Sequence, residues 1–180
     1  MTVRLTTLTD ADAEPTARWR EAARANLRTP YVRSVEEQRA FIRDLPAHRN
    51  EYRYWAVRSQ FITDVVFGGT GDSEWRTIGI AGLSPIEFEN GLAEVSLVLD
   101  QACIGKGYGG AAFSLLLAEA FEALRLEQAV AEIYLSNPAV GFWERMADKH
   151  GAVRTTLPKR KFVGGQFHDS LYLSFQRKTS

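Results

Sequence analysis

Residues 104 to 110 read IGKGYGG, and this run constrains the fold more than any other stretch of the chain. Gly105, Gly107 and Gly109 stand at alternate positions, where main-chain N–H groups can converge on one point without a Cβ in the way. A β-prone run, Ala93 to Leu99, precedes the loop. Behind it Phe113, Leu116, Leu117, Ala120, Phe121 and Leu124 recur at helical spacing, which predicts a helix over about 108–124. A strand, a glycine turn and a helix in that order leave the helix's first N–H groups without partners, facing the turn with a partial positive charge. Such a turn is a cradle for pyrophosphate. Ile104, Tyr108 and Gly110 flank it, and Lys106 adds charge at its rim.

Three kinds of ligand suit a cradle of this type. A nucleoside triphosphate is disfavoured, because the run lacks the Gly-Lys-Ser/Thr ending of a P-loop. Gly105, Gly107 and Gly110 satisfy the dinucleotide fingerprint. That fingerprint opens a βαβ unit in a longer parallel sheet, and too little chain follows here to finish one. The pyrophosphate of coenzyme A is the third.

Patterning along the chain tells against the dinucleotide. Val3 to Leu8 alternates as a strand, and 10–27 and 34–45 read as helices. Ser34 and Glu37 form a capping box at the start of the second helix, and Pro46 ends it. Tyr52 to Val57 and Arg76 to Leu83 are strand-like. Between them 60–75 is ambiguous: Phe61 to Phe67 suits a strand, and GGTGDS at 68–73 is turn chemistry. Glu89-Asn90-Gly91 signals a hairpin into Ala93 to Leu99. A strand at 129–135 leads to a helix from Pro138 to about Lys149, stopped at Gly151. Strands at 153–162 and 167–175 close the chain around Gly164-Gly165. The expectation is one α/β (α+β) domain over 1–180, with a mixed, mostly antiparallel sheet of about seven strands flanked by helices.

Composition excludes several functions. The formal net charge is zero, so no global field draws the chain to nucleic acid or to an anionic membrane. No apolar run reaches membrane-span length, and the first residues carry no signal-peptide pattern, which sets a cytoplasmic expectation. Cys103 is the only cysteine and there are three scattered histidines, so no metal-ligand spacing is present.

The loop and its surroundings together resemble the GNAT acetyltransferase superfamily, in particular its RimJ/RimL-like branch. That family's loop runs Arg/Gln-x-x-Gly-x-Gly/Ala. Gly107 and Gly109 supply the glycine pair here, and Ile104 stands in place of the Arg or Gln. AEVSLVL before the loop is similar to the family's pantetheine-pairing strand. SNPAVGFWERM at 136–146 resembles its second CoA-side motif, and GGQFHDSLYLSF its closing hairpin. The resemblance implies a GNAT-like acyl-CoA acyltransferase fold, acetyl-CoA as co-substrate, and an amine acceptor that is a protein N-terminus or a small molecule. Many relatives are dimers, so a homodimer is a further expectation.

The resemblance also assigns roles. The main chain of Leu97, Val98 and Leu99 would pair with pantetheine, and the Leu97 N–H would polarise the thioester carbonyl; as side chains these three read as core. Glu94, in an otherwise apolar strand, is the candidate base acting through water, because an amine of pKa about 10 is protonated at neutral pH. The competing reading for Glu94 is a solvated strand face or a hairpin salt bridge. Ser96 shares its face by alternation. Asn137 would bond the pantetheine amide, cap a helix before Pro138, or do both. The family's Tyr acid falls at Phe142-Trp143, so Trp143 sits on the CoA side and Tyr134 becomes the substitute acid, with strand packing as its alternative. The leaving alkyl thiolate can also depart without an acid.

Other residues read as structural. Cys103 has no neighbouring His, and direct transfer needs no nucleophile. His168-Asp169 and Lys159-Arg160-Lys161 read as strand residues, and Trp19, Trp55 and Trp75 as packing around the acceptor side. Two rival functions remain open at this level: a non-catalytic acyl-CoA-binding domain, motivated by Ile104 and the missing Tyr, and a nicotinamide enzyme using Gly105, Gly107 and Gly110.

Overall fold

Gly91 closes the hairpin that the Glu89-Asn90-Gly91 signal predicts. It sits in the left-handed region at φ 62°, after a 3-10 turn over Phe88–Asn90. The computed structural model describes residues 2–27, 33–62 and 73–178. Its strands are β1 (Val3–Thr7), β2 (Arg53–Ile62), β3 (Ser73–Glu87), β4 (Leu92–Leu99), β5 (Gln128–Tyr134), β6 (Val153–Val163) and β7 (Gln166–Gln176). Its helices are α1 (Ala13–Ala22), α2 (Val35–Asp44), α3 (Tyr108–Ala118) and α4 (Val140–His150). The seven strands form one sheet in the order β1-β2-β3-β4-β5-β7-β6. Every neighbouring pair is antiparallel except β4 and β5. This is the mixed, mostly antiparallel sheet expected, and it excludes the doubly wound parallel sheet a nicotinamide fingerprint would need.

Alternation along the strands divides the core between the sheet's two faces. Val57, Ala81, Leu83, Ala93 and Val95 pack with Ala112, Phe113, Leu116 and Leu117 of α3 and Trp143, Met146 and Ala147 of α4. Phe113 is fully buried, edge-on to both Trp143 and Phe175; burying such a ring contributes about 1.5–3 kcal/mol. Their neighbours Ala56, Ile80 and Val98 face the other way, onto Trp19 of α1 and Ile42 of α2. The Ser34–Glu37 capping box is formed: Glu37 N–H donates to Ser34 Oγ at 3.1 Å and Ser34 N–H to Glu37 Oε2 at 2.7 Å.

One buried charge pair fixes the entry to α1. The Asp12 carboxylate accepts from Arg58 Nη2 at 3.1 Å, Thr77 Oγ1 at 2.6 Å and Thr9 N–H at 2.8 Å. It thereby ties the turn before α1 to β2 and β3.

Three expectations change. The helix read over 10–27 is α1 alone, with 3-10 turns at Asp10–Asp12 and Arg24–Asn26 on either side. The helix read over 108–124 ends as α-helix at Ala118 and continues as a π turn over Glu119–Ala123, where Leu124 N–H donates to the Glu119 carbonyl at 3.0 Å. The wider turn keeps Ala120 fully buried while Phe121 and Leu124 also reach the core. The last helix starts at Val140, not Pro138: Asn137 Oδ1 accepts from Ala139 N–H at 2.9 Å, and Ala139 is the cap. Asn137 therefore holds the turn ahead of the helix and is not its N-cap. In the ambiguous stretch 60–75, β2 extends to Ile62 and β3 begins at Ser73; residues 63–72 lie outside those described.

Candidate active site

β4 and β5 stay together for a short distance only. They pair at Leu92 with Gln128, Ala93 with Ala129 and Glu94 with Val130, and no register continues past Glu94. β4 remains paired on its other side with β3 as far as Leu99. Its edge toward β5 is therefore open from Val95 onward. A cleft of about 1070 Å³ enters at this gap, and both walls of the gap line it.

The glycine-loop end of the cleft holds most of the residues the sequence singled out. Leu97, Val98, Leu99, Ile104, Gly105, Gly107, Gly109, Gly110, Asn137 and Trp143 all line it. Lys106 and Tyr108 do not. Asp100 starts the loop, accepting from Ala102 N–H at 2.9 Å. Gly105 (φ 78°) and Gly107 (φ 84°) are both left-handed. A Cβ on Gly105 would meet nothing, so that position demands glycine for its backbone angle alone. At Gly109 the constraint is space: a Cβ there would stand 3.1 Å from the Phe142 ring and 3.4 Å from Leu99, so the ring would have to give way by a few tenths of an ångström. Gly107 caps α3, and the first intrahelical bond runs from Ala111 N–H to its carbonyl at 3.2 Å. The N–H groups ahead of Ala111 thus lack helical acceptors. A convergent set of donors beside an unpaired strand edge fits the pyrophosphate and the amide-bearing arm of coenzyme A.

The other end of the cleft lies on the α1 and α2 side of the sheet. Glu94 and Ser96 line it, on the face they share with Val98. Glu94 stands opposite a bulge in β3: the register shifts between Leu83 and Ile86, and Ser84 and Pro85 line the cleft there. Ser96 pairs with Gly82, which pairs with Tyr54. Tyr54, Tyr52, Phe41 and Trp19 form an aromatic wall, with the Phe41 and Tyr54 rings edge-on at 5.4 Å.

Sequence reasoning missed Glu132. Its carboxylate is nearly buried on β5 at the cleft wall, and it accepts from Ser170 Oγ at 2.7 Å and Arg160 Nε at 2.8 Å. The signal was available, since Glu132 interrupts an apolar strand just as Glu94 does. The same bond gives Arg160, read as a solvated strand end, a fixed partner. Trp19 is the one tryptophan of the three considered that lines the cleft; Trp55 packs on the opposite core and Trp75 lies under Arg4.

Tyr134 is not among the cleft-lining residues. It is buried at the end of β5, with the Lys161 ammonium 4.9 Å from its ring centre. Trp143 lines the cleft but is mostly core, buried edge-on to Phe113. Cys103 also lines the cleft. Burial pushes its thiol above the usual range, Asp100 adds to this and Lys106 opposes it, which makes it a poor nucleophile. Asp169 Oδ1 accepts from Lys159 N–H at 2.9 Å, a strand-to-strand tie in the closing hairpin. Among the described residues no three His, Cys, Asp or Glu side chains group to hold a metal ion, and no helix is long and apolar enough to cross a membrane.

Solved structures of similar fold include three acetyltransferases. The spermidine N-acetyltransferase of Vibrio cholerae in complex with CoA and spermine is 18% identical over 97% of this chain and 95% of that one, with a TM-score of 0.76. The ribosomal L7/L12 alpha-N-protein acetyltransferase RimL, in complex with coenzyme A, is 16% identical over 98% and 95%, with a TM-score of 0.77. A putative acetyltransferase reaches 25% identity over 97% and 82%, with a TM-score of 0.64. No curated protein sequence matches the chain. These likenesses agree on the fold, and the acetyltransferase (GNAT) domain profile matches residues 2–151. The chain therefore belongs to the GNAT acetyltransferase family.

Proposed function

We propose that this enzyme moves an acetyl group from acetyl-CoA directly onto a primary amine, with Glu94 as base through a water molecule. The observation that carries the reading is the parting of β4 and β5 just beyond Glu94. It puts an unpaired strand edge, a glycine cradle and a carboxylate into one cleft.

The proposed division of labour follows from that geometry. Loop N–H groups at Gly105 to Gly110 hold the donor's pyrophosphate. The freed edge of β4 from Leu97 to Leu99 pairs with its pantetheine, and the Leu97 N–H polarises the thioester carbonyl. Asn137 has its Oδ1 engaged in its own turn, so its amide NH₂ is the group that would donate to pantetheine. Glu94 and Ser96 face the acceptor. Glu94 draws the amine proton through water as the nitrogen attacks. With Tyr134 outside the lining and Trp143 in the core, the departing thiolate takes its proton from solvent; a thiol of pKa about 8.5 tolerates this.

The two named neighbours act, by description, on spermidine and on a ribosomal protein's α-amine, and both classes are carried here as acceptors to test. Purified protein with acetyl-CoA is assayed for free thiol release against spermidine, spermine and short peptides with free N-termini. Release dependent on one acceptor class, with the acetyl group recovered on its amine, supports the reading. Failure of every amine to raise release above the hydrolysis background would sink it.

A further inference from the structure

Away from the glycine loop, the charged side chains among the described cleft lining are Arg20 on α1, Arg33 ahead of α2, Glu94 on β4 and Glu132 on β5. Both carboxylates have tasks. Arg160 answers Glu132 through both oxygens, at 2.8 and 3.3 Å, and Ser170 Oγ adds a third bond. Glu94 is the base of the reading above. The arginines belong to the aromatic wall. Arg20 follows Trp19 on α1, and the Arg33 guanidinium lies 4.1 Å from the centre of the Phe41 ring. That ring contact holds the cation at the wall.

Trp19 makes the sharper demand. It is 5% exposed and lines the cleft, and its indole Nε1 is buried with no hydrogen-bond acceptor among the described residues. A donor kept from water without an acceptor is costly. Phe41, under Arg33, packs against the same cluster of side chains as Trp19. One wall thus carries an indole N–H and two guanidinium groups, and all of these can only donate. An ammonium is also a donor alone. A polyamine laid here brings like charge to the arginines and no lone pair to Trp19. A carboxylate brings the opposite charge and the acceptor oxygens together.

We propose that the acceptor is an amine that also carries a carboxylate, and that Trp19, Arg20 and Arg33 recognise this carboxylate while the amine faces Glu94. This rests on the acetyl-transfer reading above. The shared chemistry is one carboxylate near a primary amine. A free amino acid supplies it, or an acidic side chain at a peptide's N-terminus, and the test separates the two.

The test is thiol release from acetyl-CoA by the full chain with acceptors matched except for the carboxylate. Free L-amino acids are compared with their α-amides, and C-terminally amidated peptides beginning with Asp or Glu with those beginning with Asn or Gln. Spermidine and spermine run beside them. The expected kcat/KM for the carboxylate member of at least one pair is roughly tenfold above that of its neutral partner. Trp19→Phe, Arg20→Gln and Arg33→Gln should each raise KM for that acceptor, leave kcat within about twofold, and bring the ratio toward one, as should high salt. Arg33 is only half-buried, so Arg33→Gln decides the matter even where Trp19→Phe unfolds the chain. Preference within the amino-acid pairs assigns a free amino acid; preference within the peptide pairs alone assigns an acidic N-terminus. Equal rates within every pair overturn the proposal, as does a preference that survives all three substitutions. A higher kcat/KM for spermidine or spermine than for any carboxylate acceptor overturns it too. Each of these three outcomes leaves acetyl transfer standing. Acetylation of no amine at all would bring down the acetyl-transfer reading, and this proposal with it.

Discussion

The ring of Tyr54 covers Gly82 so closely that a Cβ on Gly82 would stand 2.2 Å from Cδ1 and 2.4 Å from Cε1 of the ring. Gly82 thereby lets an aromatic side chain lie across the sheet beside Ser96, at the acceptor end of the cleft. Gly82→Ala must push the ring aside. The expected cost is about 1–3 kcal/mol of stability, read as a lowered denaturant midpoint. The Michaelis constant for the amine should rise while CoA affinity, set at the other end, stays within about twofold.

Glu94→Gln keeps the shape of the side chain and removes the base. If Glu94 draws the amine proton, kcat/KM for the amine falls by about 10²–10⁴ and CoA affinity is unchanged. The loss should shrink as pH rises and more of the amine is already neutral. A variant as active as its parent across the pH range would remove Glu94 from the mechanism.

Arg58→Met takes the cation from a carboxylate that is 2% exposed. Removing one partner of a buried pair costs about 3–5 kcal/mol, and Thr77 and Thr9 remain on Asp12 to keep the loss near the lower figure. Chemical denaturation measures it. Because Asp12 anchors the start of α1, the acceptor wall should loosen before the donor cradle does.

His150 titrates below the ordinary imidazole value of 6.5, first because it is partly buried, then because Lys149 and Lys178 repel its charged form. Between its folded pKa and 6.5 the unfolded chain binds more protons than the folded one. Stability therefore falls as pH drops below 6.5. His150→Gln should flatten that part of the stability curve. An unchanged slope would mean that other groups set it.

Cys103 lies in the cleft wall with a raised pKa, and burial is the main cause. Its alkylation by iodoacetamide at neutral pH should be slower than that of an exposed thiol, and slower again with CoA bound. Mass spectrometry of the modified peptide follows both rates. Alkylation unaffected by saturating CoA would place the donor elsewhere.

The order of all seven strands and four helices was legible in the sequence, because each long element carries its own period or its own stop signal. Ser34 with Glu37 marked α2, and Gly91 and Gly151 marked turns that are left-handed in the structure. The cradle was legible for the same reason, since its glycines are local requirements. Side chains brought together across strands were not. Glu132 depends on Arg160 and Ser170, which arrive from β6 and β7, and Tyr54 depends on a missing Cβ on the neighbouring strand. No spacing along one chain encodes such meetings.

The short seam between β4 and β5 has a mechanical consequence. Four strands stand on one side of it and three on the other, stitched by the rungs from Leu92 to Glu94 and by the Glu127 and Gln128 N–H bonds to the Gly91 carbonyl. Beyond those stitches α3 and α4 are laid across one face of both panels, and on the other face Lys161 Nζ of β6 donates to the Leu27 carbonyl at 2.8 Å. A pantetheine arm in the gap would act as a splint, replacing the missing rungs with its own amides. The stiffness of the sheet and the loading of the enzyme would then rise and fall together with each turnover.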